Sequence, residues 1–415
     1  MSSRLPFATH LRLAVRNLLR NRRRTAITLA AFVCGVGALT FIVALNDGWM
    51  ADMKTNFVLT QMGHIQIHAE GFNDSRSIDQ RLADPAPILA AVARQPEVAA
   101  VTARLSISAL ASVAGASSGV DLMGIDPENE PKVSRLREFV QPGGEWLKAD
   151  DRRGLLLGAE VARQLDLAIG DKVVLMAQSP GGELVSELFR LRGILKSGAP
   201  EIDQGKALIG IDSARQWLEV EQAATEIVIR AQNHEAVLPL QTALLAELPD
   251  PNLEIMRWSQ IDPMIEQWTA TADASTFFIL TIVIAVILIE VLNTMLMSMH
   301  ERVREFGLME AIGTGKRELF LMLLIETVLL VATGGLLGYL FGAAISLALA
   351  GPGIDISAFA DAFAFFYMDP VCHPLLTLKS GVKIVGITLI AALIAGLYPA
   401  WKATRLNPVA AMREV

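Results

Sequence analysis

Four long apolar runs decide how this chain must be divided. They fall at residues 25–45, 275–299, 319–350 and 382–401. At about 1.5 Å of rise per residue, each crosses a hydrocarbon layer roughly 30 Å thick as a helix. Between the first run and the second lie residues 46–274, which hold 33 Asp and Glu against 20 Lys and Arg. That length and acidity require a soluble module outside the bilayer. Acidic residues also outnumber basic ones in the whole chain, 43 to 36, and no basic patch interleaved with aromatics appears, so nucleic acid is excluded as a partner.

Charge sets the orientation. Arg4, Arg12, Arg16, Arg20, Arg22, Arg23 and Arg24 precede the first run, and residues 1–24 contain no acid. The positive-inside rule keeps this segment in the cytoplasm. Four spans return the tail, 402–415, to the same side, where Lys402, Arg405 and Arg413 agree. The segment 300–318, with Arg302, Arg304, Lys316 and Arg317, also lies inside, and 46–274 and 351–381 lie outside. Lys379 and Lys383 run against the rule and are expected to snorkel. A cleaved leader is the competing reading of the first run. Its 21 residues exceed a leader's apolar core, and no small-x-small site follows the run before Asn46 and Asp47, so an uncleaved anchor is expected. Cys34 in mid-span and Cys372 outside predict no disulfide.

In the exterior segment, alternating residues at 64–69, 101–113, 120–125, 171–177, 188–195 and 207–211 predict strands. Residues 87–95 and 158–167 carry helical spacing, which makes the module α+β. Helical spacing at 261–274 leads into the second span, so spans 1 and 2 are expected to continue as a stalk beyond the bilayer.

Motifs for catalysis fail on inspection. Residues 313–316, Gly-Thr-Gly-Lys, suggest a phosphate loop, but Glu310 stands where its first glycine belongs and Arg317 where its Ser or Thr would hold magnesium. His64 and His68 share a face of a predicted strand about 13 Å apart, too far for one metal, and read as packing or surface residues. No catalytic residue, metal site or bound cofactor is expected in this chain.

Residues 301–326 stand out instead. Phe306, Met309 and Ile312 recur at helical spacing, while Glu301, Arg302, Arg304 and Glu305 are available at the rim. A juxtamembrane turn with snorkelling charges is the plain reading. The sharper one is a short helix whose apolar knobs enter a groove on a cytosolic protein, ended by Gly313 and Gly315. In span 3, Gly334, Gly338 and Gly342 form a small-residue stripe, expected to pack against a second permease copy or paralogue. Glu290 and Glu326 are intramembrane acids that need a partner, a proton or a polar cavity, and Glu326 is near enough to the inner end to snorkel. Phe359, Phe363, Phe365, Phe366 and Tyr367 suggest an outer segment lying against membrane lipids.

The run ERVREFGLMEAIGTGKREL (301–319), Glu326 with Gly334, Gly335 and Gly338, and the ending YPAWKATRLNPVAAMRE (398–414) resemble the permease domain shared by macrolide-exporter, lipoprotein-release and FtsX-like ABC transporters. Residues 155–176 and 188–218 are similar to the periplasmic domain of lipoprotein-release permeases of the LolC and LolE type. The resemblance implies a dimeric inner-membrane subunit with cytoplasmic termini and a large periplasmic domain. It implies that a separate cytosolic ATPase dimer, which binds ATP and magnesium, grips the helix between spans 2 and 3. The implied task is extraction of lipoprotein or lipid-like substrate, with a periplasmic carrier or adaptor as a further partner. The link at 178–187 is too short for the long carrier-binding hook of one such subunit, and the exterior domain is too large for the cell-division branch. Efflux of small molecules or peptides is the alternative within the class. A transmembrane sensory receptor is the rival outside it, and it lacks a cytoplasmic output domain; a membrane enzyme lacks a catalytic constellation.

Overall fold

A computed structural model describes residues 7–20 and 22–405 and divides them into two compact units. Arg4 and Arg413 of the basic clusters lie outside the described residues.

The first unit comprises the chain up to Met50, Thr269–Asp355 and the chain from Val371. It holds α1 (Phe7–Arg20), α4 (Val303–Ala311), α5 (Lys316–Ala350) and α6 (Leu378–Ala403), with most of α2 (Arg22–Phe57) and of α3 (Met264–Glu301). Four of them, α2, α3, α5 and α6, are long and apolar enough to cross a membrane. The 36 residues of α2 and 38 of α3 would measure about 54 and 57 Å. Both are longer than the expected spans of 25–45 and 275–299.

Small residues bring these helices together. A Cβ on Gly334 would lie 2.9 Å from the Phe32 Cβ, one on Gly338 2.7 Å from the Val36 Cβ, and one on Gly342 2.4 Å from the Gly37 carbonyl oxygen. The glycine stripe is therefore consumed by α2 of the same chain. This corrects its expected use against a second copy. Around the seam, Phe32, Val36 and Leu39 join Leu280, Ile287, Val291, Leu330 and Val331 in one apolar cluster. Phe278, Ile282, Val286 and Ile289 on α3 remain exposed. Glu290 is half-buried on α3 and has no hydrogen bond or ion pair among the described residues.

The second unit comprises Ala51–Trp268 and Ile356–Pro370. Its strands are β1 (Ile65–Ala69), β2 (Val98–Val113), β3 (Ala116–Ile125), β4 (Gly154–Gly158), β5 (Lys172–Gln178), β6 (Leu184–Leu195), β7 (Lys206–Gly210), β8 (Glu226–Ala231) and β9 (Leu253–Arg257). Pairing in the order β2, β3, β7, β4, β6, β5 and back to β2 closes a six-stranded barrel. The other end of β2 carries β8, β1 and β9 as an open extension. Closure leaves the six barrel strands without an edge.

Strand β2 shows how the alternation is used. Leu105 and Ile107 enter the barrel core, and the opposite face, Arg104 and Ser106, is buried as well. Arg104 donates to both oxygens of Glu130 at 2.6 and 3.1 Å, and its Nη1 donates to the Gln61 carbonyl at 2.8 Å. Gln61 lies in a π-helical turn, Val58–Met62, so this ion pair fixes the segment that follows α2. Tyr367 adds a second clasp. It is buried rather than lipid-facing, and its hydroxyl accepts from Gln61 at 2.9 Å and donates to Glu201. Its carbonyl accepts from Asn56 at 2.9 Å, and its φ of 57° is a left-handed conformation unusual for a tyrosine.

His64, immediately before β1, and His68, on it, are both buried, and no group of three metal-binding side chains occurs among the described residues. The β5–β6 link is a tight turn in which Gly181 and Gly182 take positive φ, and no long hook is present.

Candidate coupling site between the second and third spans

Helix α3 ends at Arg302, where φ of −112° and ψ of 9° depart from the helix, and α4 begins at Val303. Gly313 stops the excursion with φ of 101°, which residues with a Cβ resist. Gly315, expected to share that role, has an ordinary φ of −73° and precedes the first residue of α5. A nine-residue helix is thus held between two turns.

Its inner face is fixed by packing. Phe306 is only 1% exposed and lies among Met299, Leu319, Met322, Leu323, Ala400 and Ala403. Met309 is half-buried against the same cluster. This corrects the expectation that Phe306 and Met309 project as free knobs. The outward apolar residues are Leu308, which the sequence reading overlooked, and Ile312, 57% and 76% exposed. With exposed Arg304 and Ala311 they recur at i, i+4, i+7 and i+8, one continuous ridge. The spacing was present in the sequence, but it competed with the equally regular stripe of Phe306 and Met309.

A polar network locks the inner face. Arg302, expected at the rim, is buried. Its Nη1 donates to the two Glu326 oxygens at 3.0 and 3.2 Å, its Nε donates to Glu305 at 3.1 Å, and its guanidinium sits 5.0 Å from the Phe306 ring centre. Glu326 does not snorkel; it is buried and also accepts from Asn17 on α1 at 3.3 Å. Arg20 reaches Glu305 at 2.7 Å, and Arg24 pairs with Glu301. Burial works to raise the Glu305 pKa, but hydrogen bonds from Arg20 and Arg302 outweigh it and hold the carboxyl below its ordinary value. Of the residues singled out beforehand, Arg302, Glu305, Phe306 and Glu326 converge. Arg304, Ile312 and Gly313 lie at the surface, and Glu290 stands apart on α3.

The helix is thus amphipathic, clamped to α5 by a buried ion pair, with a separate apolar ridge facing out. Family comparison gives the class. Residues 276–408 match the FtsX-like permease C-terminal model, and residues 25–247 match the MacB-like periplasmic core domain. The chain belongs to the MacB/FtsX/LolC-type family of ABC transporter permeases. It is 22% identical to the lipoprotein-releasing system transmembrane protein LolC of Neisseria meningitidis, over 94% of each chain. It is 21% identical to LolE of Haemophilus influenzae, over 76% of this chain and 77% of the relative. It is 24% identical to the macrolide export ATP-binding/permease protein MacB of Bdellovibrio bacteriovorus, over 97% of this chain and 61% of that one. Among solved structures, the periplasmic region of MacB from Actinobacillus actinomycetemcomitans covers 52% of this chain and 97% of its own, with 16% identity and a TM-score of 0.36.

Proposed function

We propose that this permease couples ATP hydrolysis in a separate cytosolic ATPase dimer to movement of its periplasmic domain, and that its substrate is a lipoprotein or similar lipid-like molecule of the inner membrane. The termini and α4 lie on the cytoplasmic side in this reading. The observation that carries it is α4 itself, with the Leu308 and Ile312 ridge exposed and Phe306 and Arg302 anchored inward. Pressure on the ridge would pass through Arg302 to Glu326 on α5, and through Glu305 to Arg20 on α1. The near-full-length match to a protein named for lipoprotein release supports the substrate class.

The test is reconstitution of the chain in proteoliposomes with its ATPase and a second permease subunit, comparing the parent with Leu308→Ala/Ile312→Ala. Truncating apolar anchors at an interface commonly costs about 2 kcal/mol or more, so ATPase binding should weaken at least tenfold and lipoprotein release should fall in step. Unchanged binding and release in the double variant would defeat the coupling role. Unchanged coupling with export of a small molecule in place of lipoprotein would defeat the substrate assignment alone.

A further inference from the structure

Helix α1 has three faces, and the protein packs against only one of them. His10 and Ala14 are buried, Leu13 and Leu18 pack against apolar clusters of the first unit, and Asn17 reaches Glu326. At about 100° per residue, Leu11, Val15 and Leu19 follow within the next 80° or so of arc, all exposed. Arg12, Arg16 and Arg20 occupy the remaining arc, also exposed. Arg22 and Arg23, in the first turn of α2, are exposed too. Among the described residues Arg20 is held by Glu305, whereas Arg12, Arg16, Arg22 and Arg23 have no acidic partner.

An apolar stripe beside an arginine stripe, joined through one residue to the start of a spanning helix, fits the headgroup boundary of a bilayer. The leucines and valine would enter the acyl edge, and the guanidinium groups, planar forks suited to phosphate, would meet anionic headgroups. We propose that α1 and the first turn of α2 form a binding surface for anionic phospholipid, with Arg12, Arg16, Arg22 and Arg23 as its phosphate contacts. Four uncompensated cations are matched by a negatively charged leaflet rather than by a neutral one. Because Asn17 and Arg20 on the same helix reach Glu326 and Glu305, bound lipid would also hold the α4 network in register. The surface exists whether or not α4 engages an ATPase.

The full chain, in nanodiscs of phosphatidylcholine with and without phosphatidylglycerol, tests this. Purified chain should retain phosphatidylglycerol several-fold above its share of the bilayer. Arg12→Gln/Arg16→Gln/Arg22→Gln/Arg23→Gln should retain it at the bulk ratio, with each arginine worth on the order of fivefold in affinity. Free glycerophosphate should not displace the lipid, which separates a membrane surface from a simple phosphate site. A nitroxide attached at Val15→Cys, in a background of Cys34→Ser and Cys372→Ser, reports independently of that variant's folding. It should sit at the headgroup boundary and deeper when phosphatidylglycerol is present. Undiminished lipid retention by the glutamine variant, or a water-exposed nitroxide in both bilayers, would overturn the proposal. So would a cross-link from residue 12 or 16 to the ATPase in place of lipid.

Discussion

Arg302 and Glu326, 24 residues apart, form an ion pair that ties the start of α4 to α5 within a buried environment, the Arg302 Nη1 donating to both carboxylate oxygens at 3.0 and 3.2 Å. Their side chains are 9% and 4% exposed. Desolvation makes such a pair a poor source of net stability, yet loss of one partner strands the other charge. The pair therefore acts as a positional lock: α4 cannot rotate without exposing Phe306 or separating these charges.

Arg302→Met should thus cost about 3–5 kcal/mol, whereas Arg302→Met/Glu326→Leu should recover much of that loss. Thermal unfolding of the detergent-solubilised chain measures both. Recovery of stability without recovery of transport would distinguish the lock from bulk packing.

Gly342→Leu would drive a side chain into the Gly37 carbonyl and the Thr40 Cβ, already 2.4 and 2.7 Å from an added Cβ. Overpacking of this kind costs about 1–3 kcal/mol. Folded yield should drop, while the oligomeric state of the surviving folded protein, read by light scattering, should stay the same because the stripe packs within the chain.

The exterior unit should weaken in acid. Burial first, then the neighbouring His234 and Arg230, lower the His64 pKa from 6.5 to about 4. Protons bind the unfolded chain before they bind the folded one, so stability is complete above pH 6.5 and declines as pH falls toward about 4. At 1.36 kcal/mol per pKa unit the loss approaches about 3 kcal/mol. Trp258, stacked on His234 with ring centres 5.8 Å apart, supplies a fluorescence signal for urea unfolding of the full chain at each pH. His64→Gln should flatten that dependence.

Tyr367→Phe removes the hydroxyl shared with Gln61 and Glu201 but keeps the ring against Phe57. A buried hydrogen bond lost in this way costs about 1–3 kcal/mol. Hydrogen exchange should rise in 356–370 and 56–62 before the barrel strands respond.

Much of this architecture is legible locally. Apolar runs of spanning length, basic clusters and two-residue alternation identify the spans and six of the nine exterior strands. Strands β4, β8 and β9 are five or six residues long and are embedded among longer apolar patterns, so periodicity alone does not separate them. The orientation of α4 is likewise not local. Two apolar stripes compete on one short helix, and the choice is made by Met299, Met322 and Ala400 from three different helices. The contact of Asn17 with Glu326 joins residues 309 positions apart, a relation that spacing cannot reveal.

The orientation of α4 is where the account is most exposed to test. A photoreactive phenylalanine analogue placed in turn at Leu308, Ile312 and Phe306, in membranes containing the ATPase and ATP, would report what each position touches. The account predicts cross-links to the ATPase from positions 308 and 312, and intrachain cross-links alone from 306. Cross-links to the ATPase from 306, with none from 308 or 312, would contradict it.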